Sequence, residues 1–243
     1  MRLLVTRPEP DASELKARLE ALGHEVLSEP LISIRFEGAE DVDLAGAQAL
    51  IATSRNGVRA LATSRAMHDA RALPLYAVGP GTAAAAKALG FEQVIMGPRA
   101  ARDLVTLIAL HAEVNGGPLV YLAGDTVAAD IAGELRRLGF SVHEPVVYTT
   151  RHAGRLTPAA IAGLKAGKIG GVLLFSPQTA RIYARLVISH GLVEQARTIM
   201  HYCLSDAVSR ELEPLAPVRS TVASRPNLQE MLALVTPGGR ESR

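Results

Sequence analysis

The sequence is poor in residues on which several classes of protein depend. It has one cysteine, Cys203, no tryptophan, and only 4% aromatic residues among 243. A single cysteine excludes an intrachain disulfide, which fits a reducing compartment. We interpret Cys203 as a small buried hydrophobic residue on a strand. The scarcity of aromatic side chains leaves little stacking surface for single-stranded nucleic acid.

Metal-binding and membrane-spanning patterns are also missing. The seven histidines show no HExxH or CxxC-type spacing, so the sequence predicts no metal site. No apolar stretch has the length of a membrane span, and the N-terminus MRLLVTRPEP has too short an apolar core for a signal peptide. We therefore expect a cytoplasmic protein.

The charge is mild and evenly spread. The formal net charge is +2, and no dense basic block of the kind that binds nucleic acid or a membrane surface is present. An anionic small molecule remains a suitable ligand, because a few local arginines suffice to bind it.

The sequence repeats itself once. Three segments have a similar partner later in the chain: residues 3–26 with 119–142, 50–61 with 173–186, and 75–90 with 201–216. The order is therefore A, B, C and then A′, B′, C′. A period of about 120 residues indicates a duplicated domain rather than a solenoid repeat.

Each repeated segment has the pattern of a strand, a loop and a helix. The two A segments also share an apolar stripe and a glycine at the C-cap position: Leu15, Leu19 and Leu22 with Gly23, and Ile131, Leu135 and Leu138 with Gly139. Strands that alternate with helices at this spacing predict two small, doubly wound α/β domains, each with a parallel sheet covered on both faces.

Ligands of such sheets bind outside the carboxyl ends of the strands. Polar loops follow the predicted strands there: Thr6-Arg7-Pro8, Thr53-Ser54-Arg55, Gly79-Pro80-Gly81, Gly124-Asp125-Thr126 and Ser176-Pro177-Gln178. Small hydroxyls and backbone N–H groups at helix starts suit an anion. We therefore expect two such domains to face each other across a cleft that binds an anion.

The segment AVGPGTAA also fits a dinucleotide fingerprint, G-x-G-x-x-A, between a predicted strand and a predicted helix. The acidic residue expected about 20 residues further on is missing, because that region reads VIMGPRAAR, with Arg99 and Arg102. NAD binding is therefore the weakest interpretation. A turn that needs glycine and a site for another anion both remain open.

The candidate residues have ordinary structural interpretations as well. Thr53, Ser54, Thr82 and Ser176 suit helix N-caps, and Tyr148 in EPVVYTTRH suits packing. Simple solvent exposure is the alternative for the arginines near the loops: Arg7, Arg55, Arg59, Arg151 and Arg181. No G-x-S-x-G flanks a serine, which gives serine hydrolysis little support. These patterns alone name no reaction.

The motifs taken in order resemble the uroporphyrinogen-III synthase family over about residues 2–235. They are LLVTRPEP, IATSRNGVRAL, YAVGPGTAAAAKALG, YLAGD, VYTT, LLFSPQTA and RPNLQEML. The resemblance implies two flavodoxin-like domains with the ligand cleft between them: residues 1–34 plus 152–243, and residues 38–147. It implies a two-strand β linker near 33–37 and 147–151.

The resemblance also implies a reaction and its partners. The substrate is hydroxymethylbilane, a linear tetrapyrrole octacarboxylate, which loses water and closes through a spiro intermediate that inverts the last ring. Such an enzyme is a lyase of porphyrin biosynthesis that uses no metal or organic cofactor. The resemblance further suggests a monomer that binds neither nucleic acid nor membrane, and it leaves open transfer of the substrate from hydroxymethylbilane synthase.

The resemblance assigns Tyr148 to departure of the substrate hydroxyl and places Thr53, Ser54, Thr82, Gly124 and Ser176 at cleft positions. The polar loops add further candidates for substrate binding: Arg7, Arg55, Gly79, Gly81, Asp125 and Gln178. One loop departs from the family pattern I-G-P-x-T-A and reads Leu204-Ser205-Asp206-Ala207-Val208. The alternative function is a non-catalytic tetrapyrrole- or anion-sensing module on the same scaffold. The short polar tail TPGGRESR leaves no room for an output domain, which favours the enzyme.

Overall fold

The computed structural model describes residues 1–40, 42–97, 101–127 and 129–236, with the backbone alone at 101 and 102. Arg99, the side chain of Arg102 and residues 237–243 of the tail, on which two of the sequence arguments depend, lie outside the described part of the chain.

The order of elements follows the predicted alternation of strands and helices. The strands are β1 (Arg2–Val5), β2 (Glu25–Ser28), β3 (Ile32–Arg35), β4 (Ala49–Ala52), β5 (Leu75–Val78), β6 (Val94–Gly97), β7 (Leu119–Tyr121), β8 (Ala123–Gly124), β9 (Val142–His143), β10 (Val146–His152), β11 (Gly171–Leu174), β12 (Met200–Cys203) and β13 (Arg219–Val222). The α-helices are α1 (Asp11–Ala21), α2 (Arg55–Leu61), α3 (Met67–Ala72), α4 (Gly79–Ala88), α5 (Ala101–His111), α6 (Ile131–Arg137), α7 (Pro158–Lys165), α8 (Pro177–Ser189), α9 (Val193–Thr198), α10 (Asp206–Arg210) and α11 (Leu228–Val235). A 3-10 turn spans Glu213–Leu215.

The chain divides into two compact units. Unit 1 comprises Met1–Ser33 and Arg151–Arg243, and unit 2 comprises Ile34–Thr150. The chain therefore passes from one unit to the other within β3 and again within β10. These two strands are neighbours in a three-stranded sheet of order β3-β10-β8.

Unit 1 is built on a five-stranded sheet of order β13-β12-β11-β1-β2, in which all neighbouring strands are parallel. The central strands β1 and β11 read as nearly continuous apolar runs, and the side chains of Leu3, Leu4 and Val5 are fully buried. This is the pattern of parallel strands that are covered on both faces. The predicted parallel α/β architecture is confirmed here.

Unit 2 has a second parallel sheet, of order β6-β5-β4-β7-β9. Alternate residues of its central strand β4 point to opposite faces. Leu50 and Ala52 join one apolar cluster with α2 and α4, whereas Ala49 and Ile51 join another with α5 and α6. Helices therefore cover both faces, as the sequence predicts.

The two sheets have equivalent strands in the same spatial order, but the chain forms these strands in a different sequence. In unit 1 the order across the sheet is the A strands β2 and β1, then β11, then the C strands β12 and β13. In unit 2 the corresponding order is β9, β7, β4, β5 and β6. The second sheet is thus a circular permutation of the first, because its A strands come last in the chain instead of first.

The apolar stripes of the A segments are only partly as predicted. Leu15 and Leu19 are fully buried, and the glycine caps are confirmed by φ angles of 80° at Gly23 and 93° at Gly139. Leu138 is 53% exposed, so its place in the stripe was wrong. Leu138 is the C-cap residue of α6, which ends at Arg137. Leu22 has the same place after α1 but is half-buried, so the C-cap position leaves the side chain's burial to its surroundings.

Two other features bear on the class of protein. Cys203 is buried on β12, as expected. Among the helices within the described ranges, none combines the length and the apolar character that crossing a bilayer requires.

Candidate functional site

The carboxyl ends of β4, β5 and β7 meet at one edge of the unit 2 sheet, because these strands are neighbours and parallel. The polar loops after them therefore lie side by side. Most of the candidate residues in unit 2 belong to this edge, and the N-terminal half of β10 runs beside it, because Val146 and Tyr148 pair with β8.

Thr53 and Ser54, directly after β4, have different partners. The Thr53 hydroxyl is hydrogen bonded to the Tyr121 hydroxyl at 3.1 Å. Ser54 is the N-cap of α2, and its Oγ accepts a hydrogen bond from the N–H of Asn56 at 3.0 Å. The capping interpretation therefore holds for Ser54, and Thr53 is the hydroxyl of this pair that contacts another side chain.

The glycine loop after β5 turns directly into α4. Gly79 has a φ of 71°, a left-handed conformation that glycine adopts without strain. Gly81 lies beside the Arg55 side chain, since a Cβ built on Gly81 comes 3.7 Å from Arg55 Cδ. Thr82 is only 5% exposed, so its side chain faces the interior of the unit.

Gly124 and Tyr148 stand opposite each other in the parallel pair of β8 and β10. A Cβ built on Gly124 would lie 2.5 Å from Cζ and 2.7 Å from the hydroxyl oxygen of Tyr148. The phenol ring therefore lies against the bare backbone of Gly124, and only glycine leaves room for it. Tyr148 itself is half-buried.

Asp125 ties the same loop to β10. Its N–H donates to the carbonyl of Tyr148 at 3.0 Å, and its Oδ1 accepts a hydrogen bond from the N–H of Thr150 at 3.0 Å. Asp125 thus brackets Tyr148 with backbone hydrogen bonds, and it fixes the loop that carries Gly124.

Tyr121, the last residue of β7, is a member of this group that sequence reasoning missed. Its side chain is 2% exposed. Burial raises its pKa above the usual value, the charges of Tyr148 and Glu144 add to that rise, and the hydrogen bond with Thr53 opposes it. A tyrosine at the end of an apolar strand looks like a core residue, and its place in YLAGD, shortly before Gly124-Asp125, was the signal available.

In unit 1, Arg7 lies after β1 and already has partners. Its guanidinium forms an ion pair with Asp11 and lies 4.7 Å from the centre of the Phe175 ring. The start of the loop after β1 is also tied to β11, since the Thr6 hydroxyl donates to the carbonyl of Leu173 at 2.8 Å. Arg7 is therefore held at the carboxyl edge of the unit 1 sheet.

Ser176 and Gln178, after β11, open helix α8. Ser176 is the N-cap, and its Oγ contacts both the N–H and the hydroxyl of Thr179, at 3.1 and 2.8 Å. The amide of Gln178 donates to His152 Nε2 at 2.9 Å. The capping interpretation holds for Ser176 as it does for Ser54.

The loop after β12, which departs from the family pattern, also leads directly from strand to helix, but Ser205 is extended, with a φ of −159°, where the matching Gly79 has a φ of 71°. Ser205 is the N-cap residue of α10, with no capping hydrogen bond from its side chain, and Asp206 is exposed in the first turn. Val208 is 1% exposed and matches Thr82, which is 5% exposed, in the repeat. Both side chains therefore face the interior of their units.

The remaining arginines differ in their surroundings. Arg181 is exposed and forms an ion pair with Glu211 at 2.6 Å, which raises its pKa. Arg151 is also exposed, whereas Arg59 is half-buried. Within the residues that the structure describes, no group of three or more His, Cys, Asp or Glu side chains is placed to hold a metal ion.

Two parallel sheets with hydroxyls and helix starts at their carboxyl edges, and with glycines at the edge of unit 2, define an α/β protein that is suited to bind an anionic ligand. The sequence model of the family described as Uroporphyrinogen-III synthase HemD matches residues 13–233. The chain therefore belongs to the uroporphyrinogen-III synthase family, and the resemblance that the motifs indicated is confirmed.

Solved structures show the same fold. The uroporphyrinogen-III synthetase of Helicobacter pylori superposes with a TM-score of 0.64 at 19% identity, over 96% of this chain and 98% of that one. A mutant uroporphyrinogen III synthase of the extremely thermophilic bacterium Thermus thermophilus superposes with a TM-score of 0.55 at 18% identity, over 96% of both chains. Comparison with curated proteins gives no significant match.

Proposed function

We propose that this chain is a uroporphyrinogen-III synthase, which closes hydroxymethylbilane to uroporphyrinogen III with loss of water and inversion of the last pyrrole ring through a spiro intermediate. The observation that carries the proposal is the family match over residues 13–233. The enzyme is accordingly a lyase of porphyrin biosynthesis, at work in the cytoplasm as a monomer.

The scaffold of this proposal is a pair of flavodoxin-like domains. In support, the strands of unit 1 lie in the order 2-1-3-4-5 when they are counted along that unit, which is the flavodoxin-like order of a doubly wound sheet. Unit 2 has the permuted equivalent. The proposed linkers are the strand segments near 33–37 and 147–151, where β3 and β10 lie.

Tyr148 is the proposed general acid. Departure of a hydroxyl from the substrate requires a proton, and a positioned phenol O–H can supply it. The contact with Gly124 and the two backbone hydrogen bonds of Asp125 restrict the ring to one place. A restricted donor suits a reaction in which the electrophile forms without an enzyme nucleophile and geometry decides the product.

The substrate carboxylates are proposed to bind at the carboxyl edges of the sheets. In unit 2, the Thr53 hydroxyl and the Arg55 side chain, which lies beside Gly81, are the proposed donors. In unit 1, Pro177 has no N–H and Thr179 donates to the cap, so the N–H of Gln178 is the first-turn amide of α8 best placed to meet a carboxylate. Arg7 contributes positive charge, reduced by its ion pair with Asp11.

The proposed function is tested by an isomer assay. Hydroxymethylbilane is generated in situ, the purified protein is added, the products are oxidised, and the porphyrin isomers are separated by chromatography. Predominantly type III isomer is expected. The spontaneous type I isomer alone, from protein that circular dichroism shows to be folded, would contradict the proposal.

Formation of the type I isomer alone, from folded protein, would favour the non-catalytic sensing module. The observation on its side is that the exposed Asp206 lies in the loop where the family has glycine and proline, so this part of the family's site is altered. Binding of uroporphyrin III without turnover would then support this function.

A further inference from the structure

The structure places a buried tyrosine behind one of the proposed carboxylate donors. Tyr121 ends β7 and stands opposite Ile51 of β4 in the parallel register. Thr53 lies two residues beyond Ile51 and therefore on the same face as Tyr121. Their hydroxyls are 3.1 Å apart, which is a hydrogen bond across two neighbouring strands within unit 2.

The two residues differ sharply in burial. Tyr121 is 2% exposed and belongs to the apolar cluster under α5 and α6, whereas Thr53 is half-buried at the sheet edge. A buried phenol needs a hydrogen-bond partner, because an unsatisfied hydroxyl is costly in an apolar environment. Thr53 is the partner that the structure shows for it, so the pair links the core of unit 2 to its polar edge.

The direction of the hydrogen bond follows from the ligand. A threonine hydroxyl has one proton to donate and two lone pairs with which to accept. When Thr53 donates its proton to a carboxylate, it can only accept from Tyr121. The phenol then donates to Thr53, which donates to the anion, and each bond of such a chain strengthens the next. Burial supports this direction, since it raises the pKa of Tyr121 and keeps the phenol protonated.

We propose that Tyr121 is a positioning residue, which holds the Thr53 hydroxyl as a donor to a substrate carboxylate. The inference rests on the proposed function, in which Thr53 meets the substrate. Tyr121 does not touch the substrate itself. It acts by removing the rotational freedom of a hydroxyl that would otherwise turn between several acceptors.

The test is a double-mutant cycle of Tyr121→Phe, Thr53→Val and the double variant, with Tyr76→Phe as the matched control. Tyr76 is 3% exposed and lies in the same apolar cluster, so its variant reports the cost of removing a buried phenol oxygen from this core. Each variant is measured for KM and kcat in the isomer assay, for Kd with uroporphyrin III, an octacarboxylate probe, and for its thermal midpoint.

Tyr121→Phe is expected to raise KM and Kd about 3- to 10-fold, the size of one lost hydrogen bond, with kcat changed little, because the contact is made in ground and transition states alike. The double variant should bind no more weakly than Thr53→Val, since Tyr121 acts through Thr53. Thr53→Ser, which keeps the hydroxyl, should weaken binding less than Thr53→Val does.

Additive effects in the cycle, or equal effects of Tyr121→Phe and Tyr76→Phe, would overturn the inference, because both describe a residue that matters for packing alone. A wild-type protein that yields only type I isomer would refute the proposed function instead, and the Kd series would still decide the role of Tyr121. Absence of both turnover and uroporphyrin binding would overturn the two together.

Discussion

Tyr148 occupies the space that a side chain on Gly124 would fill: a methyl group there would lie 2.5 Å from Cζ of the phenol ring. The two residues are also register partners in β8 and β10. The position of the proposed acid therefore depends on the absence of a side chain on the neighbouring strand, and on the loop geometry that Asp125 maintains.

Gly124→Ala should displace the Tyr148 ring and lower kcat about 10-fold or more, because a small misplacement of a reacting group costs much of its effect. Gly154→Ala is the control, since no atom lies within 4 Å of a Cβ at that position and its backbone conformation is ordinary. Both variants should be assayed for type III product and for thermal midpoint. Equal activity of the two variants would show that the ring need not lie against Gly124.

Tyr148→Phe should slow formation of the type III isomer by about 10²-fold, within the range of lost general-acid catalysis, while the protein stays folded. The loss should fall on kcat, because the phenol proton is needed as the hydroxyl departs and less for binding. Steady-state kinetics with circular dichroism provide the measurement. Unchanged turnover in this variant would remove Tyr148 from the mechanism.

Substitutions at Ser176 should separate helix capping from anion binding. Ser176→Ala removes the cap of α8 and should lower the free energy of unfolding by about 1 kcal/mol. Ser176→Asp keeps a good cap, so stability should stay near wild type. The added carboxylate should nevertheless repel the substrate and raise KM several-fold. If Ser176→Asp binds substrate as wild type does, the start of α8 is no carboxylate site.

Stability should fall on acidification through His201. Burial lowers the pKa of this residue to about 4, and the hydrogen bond from Nδ1 to the Arg219 carbonyl opposes the shift. Between about pH 6.5 and 4 the unfolded chain binds the proton and the folded chain does not. The contribution of neutral, buried His201 to the free energy of unfolding is therefore complete above the unfolded pKa and is lost as pH falls. At 1.36 kcal/mol per pKa unit, the full loss is about 3 kcal/mol.

Denaturant unfolding of wild type and His201→Phe at pH 7 and pH 4.5 checks this. Phenylalanine keeps the ring that contacts Tyr183, at a centroid distance of 5.6 Å, but cannot titrate. The variant should lose less stability than wild type over this pH range. An equal loss in both proteins would show that other groups carry the acid sensitivity.

Much of the fold could be predicted because local pattern and global fold agree. Continuous apolar runs such as β1 and β11 are typical of central parallel strands, and the glycine caps mark the helix ends. The predicted apolar stripe of α6 was wrong at Leu138, which lies one residue past the end of the helix and is exposed. Register pairs such as Leu4 with Val172 could not be predicted from residues alone, because no local signal states which half of a duplicated chain completes a sheet.

The places of the candidate residues in the fold were predictable where backbone position decides them. Small and polar residues indicate the loops at the carboxyl ends of strands, and Thr53, Gly79 and Ser176 do follow the ends of β4, β5 and β11. Side-chain pairing was harder to foresee. Arg7 stands four residues before Asp11, which is the spacing of a helical ion pair, yet whether such a pair forms depends on the helix start. Tyr121 was missed because a core tyrosine and a positioning tyrosine look alike in sequence.

The permuted order of the two sheets has a consequence for how the protein is made. Unit 2 is one continuous stretch, Ile34–Thr150, whereas β1 acquires its central neighbour only when β11 is made, at Gly171–Leu174. A strand pair without further neighbours is marginal in water, and domains fold as units during synthesis. On the ribosome, therefore, unit 2 is completed before unit 1. The strands β1 and β2, which are made before unit 2, complete their sheet only after it.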